Sequence, residues 1–119
     1  MTKLPISVCL VAGNEAHRIR PALDSVQDWT SEIILAIDDR VTDGTDKIGA
    51  ACGAKVISQP WRGHAAHRNF ASDHATQPWL LAIDADEVVS DKLRDEIIAA
   101  FHSHEIAALP AAYSFPRLS

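Results

Sequence analysis

Four short, nearly continuous apolar runs divide the chain, and they constrain its fold more than any other feature. Each run is five to seven residues long and is followed by a polar segment. Runs of this kind are typical of strands that are buried on both faces of a parallel sheet. They cover Ile6–Ala12, Glu32–Asp38, Ala54–Ser58 and Trp79–Asp84. Because helical patterns separate the runs, we predict an α/β fold: a doubly wound, mostly parallel sheet with helices on both faces.

The segments between the first three runs predict two helices. The first begins near Ile19, because apolar residues recur from there at helical spacing and Pro21 then lies in the first turn. The second is opened by the capping candidates Thr42 and Asp43 and is closed by Gly53.

Two further helices are predicted in the second half of the chain. The third covers about residues 64–75, and the fourth begins after the capping residue Ser90. The buried stripe of the fourth helix follows four-residue steps through Leu93, Ile97 and Phe101.

Ligands of open α/β sheets bind beyond the carboxyl ends of the strands. In this chain those ends are residues 12–15, 38–45, 59–62 and 84–87. Three of these four segments are polar or acidic, as a site for a metal and phosphate groups requires.

Asp84 and Asp86 follow the fourth run directly. If the chain stays extended, residues two apart face the same side about 6.6 Å from each other. Two carboxylates that lie so close together repel each other unless a cation lies beside them. Mg²⁺ and Mn²⁺ bind one or two carboxylates together with phosphate oxygens and waters. The alternative is an acidic loop that only caps the helix after it.

Acidic residues also end the second run. Asp38 is placed to accept hydrogen bonds from a base or ribose, with Asp39 as the second candidate. Residues 42–44 are explained as turn and capping residues, so we assign them no ligand contact.

Charge and composition exclude several classes of protein. The chain has 16 acidic and 11 scattered basic residues, which argues against a nucleic-acid partner. Cys9 and Cys52 are predicted to be buried thiols in a reducing cytoplasm. No run of about 18 apolar residues occurs, so no membrane span is expected, and the N-terminus lacks the pattern of a signal peptide.

Histidine and tryptophan residues offer weaker candidates. His64 and His67, and likewise His102 and His104, lack cysteines or a carboxylate in register, so they are predicted to be solvated surface residues and not zinc ligands. The three tryptophans are predicted to pack in the core and at its edge, with sugar stacking as a secondary hypothesis for Trp61.

Five segments in order resemble the family 2 glycosyltransferases of GT-A type. Their sequences are ISVCLVAGNE, EIILAIDDRVTDGT, WRG, RNFA and WLLAIDADE, and together they span about three quarters of the chain. The WRG and DADE segments are most similar to the bacterial lipopolysaccharide-core glucosyltransferases.

This resemblance implies a reaction and a site. The reaction is inverting transfer of a hexose from a nucleotide diphosphate sugar, UDP-linked, to a saccharide or lipopolysaccharide-type acceptor. The protein would work in the cytoplasm or peripherally at the cytoplasmic face of the inner membrane. The implied contacts are Ala12 and Glu15 flanking the base, Asp38 on uracil or ribose, Arg68 on the base or diphosphate, Asp84 on the ribose, and Asp86 on Mg²⁺ or Mn²⁺.

The chain departs from the family pattern in three places. Family members have small residues where this chain has Asp39, Arg40 and Val41, and often a lysine where it has Gly13. They also continue past Ser119 into an acceptor-binding half with the general base. We therefore expect residues 1–119 to be the nucleotide-sugar-binding N-terminal part of a longer domain.

Two other functions are compatible with the sequence. One is a catalytically silent nucleotide-binding module. The other is a haloacid dehalogenase-type phosphatase with Asp84 as covalent nucleophile, although that family places its Asp-x-Asp motif first in the chain.

Overall fold

The structure is a computed structural model, and it describes residues 3–103 and 114–116. Strands and helices alternate along these residues. In chain order they are β1 (Leu4–Ala12), α1 (Ile19–Gln27), β2 (Thr30–Asp38), α2 (Thr45–Ala51), β3 (Lys55–Gln59), α3 (His64–Asp73), β4 (Trp79–Asp84), α4 (Asp91–Ser103) and β5 (Ser114–Pro116). The four predicted strands and four predicted helices are all present.

The described strands form one sheet in the order β3-β2-β1-β4-β5. The first four are parallel, and β5 pairs antiparallel with β4. This confirms the prediction of a mostly parallel α/β sheet. Residues 104–113 and 117–119, and with them His104, lie outside the described residues.

Side chains of the central strands alternate between two buried clusters. Val8 and Leu10 of β1 belong to the larger cluster, which also contains buried residues of α1 and α4. Cys9 between them belongs to the smaller cluster, which contains Ala71 of α3. Both faces of the sheet are therefore covered, as a strand with a continuous apolar run requires.

Local signals place the helices well. The residues of α1 that were predicted to be apolar-facing are all fully buried: Ile19, Ala22, Leu23 and Val26. Helix α2 begins at Thr45, slightly later than its predicted capping residues, and Gly53 ends it with a φ of 84°, a conformation that favours glycine. The hydroxyl of Ser90 accepts a hydrogen bond from the Leu93 backbone N–H at 3.1 Å, so the predicted cap of α4 is confirmed.

Both cysteines are buried and they form no disulfide, as predicted. Among the helices of the described residues, none is long and apolar enough to cross a membrane.

Candidate functional site

The carboxyl ends of β1, β2 and β4 lie side by side. Ala12 of β1 is in register with Ile37 of β2, and Val11 is in register with Asp84 of β4. Because these three strands are parallel neighbours, the polar segments that follow them meet at one edge of the sheet. The predicted binding edge is therefore assembled by the fold.

Three hydrogen bonds tie the loop after β1 to the loop after β2. Each has a backbone N–H as donor, a side-chain oxygen as acceptor and a length of 3.0 Å. They join Thr42 to Asn14 Oδ1, Glu15 to Thr45 Oγ1, and Ala16 to Asp43 Oδ2. The two loops therefore form one connected unit.

Asp43 has the turn role expected of it. Its Oδ1 accepts hydrogen bonds from the Thr45 backbone N–H at 3.1 Å and from the Thr45 hydroxyl at 2.5 Å. The hydrogen bond from the Thr45 hydroxyl is the largest cause that lowers the pKa of Asp43. Asp43 is thus occupied in holding the start of α2.

A cleft opens where β1 and β2 end. Its volume is about 280 Å³, and it is lined by Gly13, Asn14, Asp38, Arg40 and Val41. Asp38, the predicted base or ribose contact, is therefore in the wall of a real cavity. Its neighbour Asp39 is exposed, and the Asp39 backbone N–H donates to the carbonyl oxygen of Gln59 at 3.1 Å.

The side chain of Arg40 covers the carboxylate of Asp38. Its guanidinium donates to Asp38 Oδ2 at 2.9 Å and to Oδ1 at 3.3 Å, and its backbone N–H donates to Oδ1 at 3.1 Å. These contacts lower the pKa of Asp38, the side-chain hydrogen bond from Arg40 being the largest cause. The Arg40 side chain is 75% exposed, so it is free to move when a ligand enters.

The Asp84-Ala85-Asp86 segment differs from the prediction. Strand β4 ends at Asp84, and the Glu87 backbone N–H donates to the Asp84 carbonyl oxygen at 3.0 Å, which closes a turn. Glu87 folds back so that its carboxylate accepts a hydrogen bond from the Asp84 backbone N–H at 2.8 Å. The prediction that an extended chain aligns Asp84 with Asp86 is therefore wrong.

The two aspartates of this turn nevertheless reach the rest of the edge. Asp84 Oδ1 lies 3.5 Å from His64 Nε2, and Asp86 Oδ2 lies 3.8 Å from Arg18. Arg18 also donates to Glu15, which raises the pKa of Arg18. All these side chains except that of Glu15 are about half exposed, so the ion pairs are weak and can be exchanged for other partners.

The turn after β4 carries two exposed carboxylates, those of Asp84 and Asp86. Within residues 3–103 and 114–116, no group of three or more His, Cys, Asp or Glu side chains could hold a metal ion. Mg²⁺ and Mn²⁺ need only one or two protein carboxylates when substrate oxygens and waters fill the other positions. Two exposed carboxylates in one tight turn supply that number.

The prediction of a surface position is wrong for His67, whereas His64 is exposed as predicted. His67 is fully buried, and its Nε2 lies 2.9 Å from the carbonyl oxygen of Ile37. His64 is half exposed but does face a carboxylate, that of Asp84. Sequence reasoning missed both contacts because each joins residues that are distant in the chain.

The remaining predicted residues differ in how accessible they are. Ala12 is buried, so a ligand could reach only its backbone. Arg68 is exposed on α3, directly after His67. Trp29 is in the core, and Trp79 packs edge-on against Phe101, but Trp61 is 41% exposed, in contrast to the packing role predicted for it.

The sheet order and the acidic edge define an α/β domain of GT-A type. The family model described as Glycosyl transferase family 2 matches residues 7–116, and the chain belongs to that family. This confirms the resemblance seen in the sequence. It also removes the phosphatase alternative.

Two relatives show the range of similarity. An uncharacterised glycosyltransferase of Rickettsia typhi is 42% identical over 99 residues, which are 83% of this chain and 34% of the relative. The lipopolysaccharide core biosynthesis glycosyltransferase LpsC of Rhizobium meliloti is 34% identical over 106 residues, which cover 82% of this chain and 38% of LpsC. The chain therefore spans only about a third of the length of these two relatives.

The fold is similar to that of a solved structure of S. aureus TarS. The structure of S. aureus TarS residues 1–349 in complex with UDP-GlcNAc superimposes with a TM-score of 0.68. The two sequences are 21% identical, and the match covers 88% of this chain and 32% of TarS. At this identity the comparison supports the GT-A fold alone.

Proposed function

We propose that this chain binds the nucleotide sugar donor of an inverting glycosyltransferase, which transfers a hexose from a UDP-sugar to a saccharide acceptor of lipopolysaccharide type. One observation carries the proposal: a cleft containing Asp38 and an acidic turn containing Asp86 lie at the same carboxyl edge of a family 2 sheet. A nucleoside diphosphate has a neutral base at one end and a charged diphosphate at the other, and this edge offers a matching partner for each.

The cleft between β1 and β2 is the proposed site for the base and ribose. The ionised carboxylate of Asp38 is an acceptor, and it pairs with an N–H of a uracil ring or with a ribose hydroxyl. The backbone of Ala12 and the side chain of Glu15 would border this site from the β1 loop. Asp39 is the weaker candidate of the predicted set, because its carboxylate is not among the groups lining the cleft.

The turn after β4 is the proposed site for the diphosphate. Asp86 would hold Mg²⁺ or Mn²⁺, and Asp84 would contact the ribose. When bound, the metal neutralises the negative charge that develops on the departing diphosphate. The acidic edge makes such a cation necessary, because an anionic diphosphate beside Glu15, Asp84, Asp86 and Glu87 would otherwise be repelled.

Two arginines can share the charge of the diphosphate. Arg68 is exposed on α3 and is proposed to approach the α- or β-phosphate. Arg18 already lies beside Asp86 and can turn from that carboxylate to a phosphate oxygen, because the existing pair is 3.8 Å long and half exposed. Mobile guanidinium groups near phosphates form charge-assisted hydrogen bonds.

The acceptor is proposed from the relatives and not from the site. LpsC is named as a lipopolysaccharide core glycosyltransferase. In an inverting transfer the acceptor hydroxyl attacks the anomeric carbon from the side opposite the diphosphate, and a general base removes its proton. The relatives are much longer than the segment that they share with this chain, and we place the base in the part of the family fold outside that segment.

Calorimetric titration of the chain with UDP-glucose, with and without Mn²⁺, tests the proposal. We expect binding that is strengthened by Mn²⁺, and weaker binding of GDP-mannose under the same conditions. Lys92→Ala is a matched control, because this exposed cation of α4 is not one of the proposed contacts; the variant should bind as the unmodified chain does. Absence of UDP-glucose binding in the presence of Mn²⁺ would contradict the proposed function.

A further inference from the structure

Trp61 is an exposed aromatic side chain that the proposed site has not used. It follows β3 and is 41% exposed, although tryptophan usually buries most of its surface. Among the described residues, the other large hydrophobic side chain with comparable exposure is Val88, at 57%. The exposed part of the indole is an apolar surface that a ligand can cover.

The indole of Trp61 lies on a firm support. Its ring is 4.7 Å from the ring of His67, with 37° between the planes, and 6.0 Å edge-on from the ring of His64. His67 is fully buried and bonded to the carbonyl oxygen of Ile37. Gly63, with a φ of 107°, opens α3 between Trp61 and these histidines. The exposed part of the indole is therefore held in a fixed position.

This support connects to both halves of the proposed nucleotide site. Ile37, which accepts the hydrogen bond of His67, directly precedes Asp38 in β2. His64, which contacts the edge of the indole system, also reaches Asp84 at the end of β4. Trp61 is thus anchored beside the end of β2 and on the side of α3 that faces the acidic turn.

The support has one unsatisfied polar atom. The Nδ1 atom of His67 is buried and has no hydrogen-bond partner within the described residues. Since the carbonyl oxygen of Ile37 can only accept, Nε2 must be the donor, and in the neutral ring Nδ1 is then an unused acceptor. A single buried water would satisfy this acceptor.

We propose that Trp61 is a stacking platform for the base of the bound nucleotide; this rests on the proposed function. Asp38 would pair with the edge of the base while the indole covers one face. Stacking on an aromatic side chain tolerates every base, because each base has a π face. Trp61 therefore contributes affinity, whereas the choice of base comes from Asp38.

The first test compares ligands of increasing length. Trp61→Ala should weaken binding of uridine, UDP and UDP-glucose by the same factor, about tenfold, because all three contain the base. Trp61→Phe should retain most of the affinity. Val88→Ala, which removes the other exposed apolar side chain, should bind as the unmodified chain does. The ratio of UDP affinity to ADP affinity should stay constant in Trp61→Ala and should fall in Asp38→Ala.

Tryptophan fluorescence provides a readout that a purely structural role would not change. UDP should quench the emission of the unmodified chain and of Trp79→Phe, because Trp61 is present in both. The quenching should be lost in Trp61→Phe even though this variant still binds UDP in calorimetry.

The outcomes separate the two proposals. If the unmodified chain binds UDP but Trp61→Ala binds it equally well, the stacking role is refuted and the proposed function stands. A loss confined to UDP-glucose would refute the base assignment and place the hexose on the indole. Failure of the unmodified chain to bind any of the three ligands would overturn the proposed function and this inference together.

Discussion

The buried imidazole of His67 and the carbonyl oxygen of Ile37 are 2.9 Å apart, across 30 positions of the chain. This hydrogen bond ties the first turns of α3 to the end of β2. It therefore fixes the helix that carries Arg68 relative to the strand that carries Asp38.

Removing this imidazole should destabilise the fold. His67→Ala leaves a cavity under Trp61 and removes the hydrogen-bond donor of the Ile37 carbonyl, which together should lower the free energy of unfolding by about 2–3 kcal/mol. His67→Gln keeps a side-chain donor for the Ile37 carbonyl oxygen, so its free energy of unfolding should fall less. Urea unfolding followed by circular dichroism measures both. A loss below about 0.5 kcal/mol in His67→Ala, the range of an ordinary surface change, would contradict the role.

Substitutions in the acidic turn should change ligand binding and leave the free energy of unfolding nearly unchanged. Asp86→Ala should abolish the strengthening of UDP binding by Mn²⁺, and Asp84→Ala should reduce it less, because Asp84 is proposed to contact the ribose. Both side chains are about half exposed, so each variant should unfold within about 0.5 kcal/mol of the unmodified chain. Calorimetry with and without Mn²⁺ measures the difference. Unchanged Mn²⁺-dependent affinity in Asp86→Ala would rule out the metal assignment.

Asp38 and Arg68 should affect different parts of the ligand. Asp38→Ala should weaken uridine and UDP alike, by about tenfold, since it removes an acceptor for the base or ribose. Arg68→Ala should weaken UDP and leave uridine unaffected, because its proposed partner is a phosphate. Arg94→Ala, which removes a cation of α4 outside the site, is the control. Equal losses of uridine and UDP in Arg68→Ala would count against the phosphate role.

Arg40 should control the titration of Asp38. Hydrogen bonds from Arg40 lower the pKa of Asp38 below its ordinary value of 3.8, so the pair is fully formed above that value and is lost as pH falls through the lowered pKa. In Arg40→Gln the pKa should rise towards 3.8. Carbon-13 NMR titration of the Asp38 carboxyl group measures it in both chains. An identical pKa in the two chains would show that Arg40 does not cover this carboxylate in solution.

The sequence predicted the elements whose causes are local. Helix α1 was predicted because its four buried residues recur at helical spacing, and the Ser90 cap because its hydroxyl acts three residues away. The buried strands were predicted because a parallel sheet covered on both faces requires continuous apolar runs. The edge that carries the site follows from the strand order, which short connections restrict to few arrangements.

The details of the site that the sequence did not predict depend on contacts between distant residues or on a choice between two local conformations. Nothing near His67 in the chain shows that a β2 carbonyl will bury it. The chain after Asp84 could have stayed extended, and it turns because Glu87 bonds to the Asp84 backbone while Ala85 enters the core. Likewise, the position of Arg40 over Asp38 depends on the shape of a loop that differs from the family pattern.

The hydrogen bonds between the loops after β1 and β2 connect the cleft to the start of helix α2. The hydroxyl of Thr45 lies in the first turn of α2, accepts from the backbone of Glu15 and donates to Asp43, so a shift of this helix start moves the wall of the cleft directly. We therefore expect substitutions in α2 to change the affinity of the cleft for the proposed nucleotide without touching it. Related chains would then diverge in donor preference through this helix while every residue of the proposed nucleotide site stays the same.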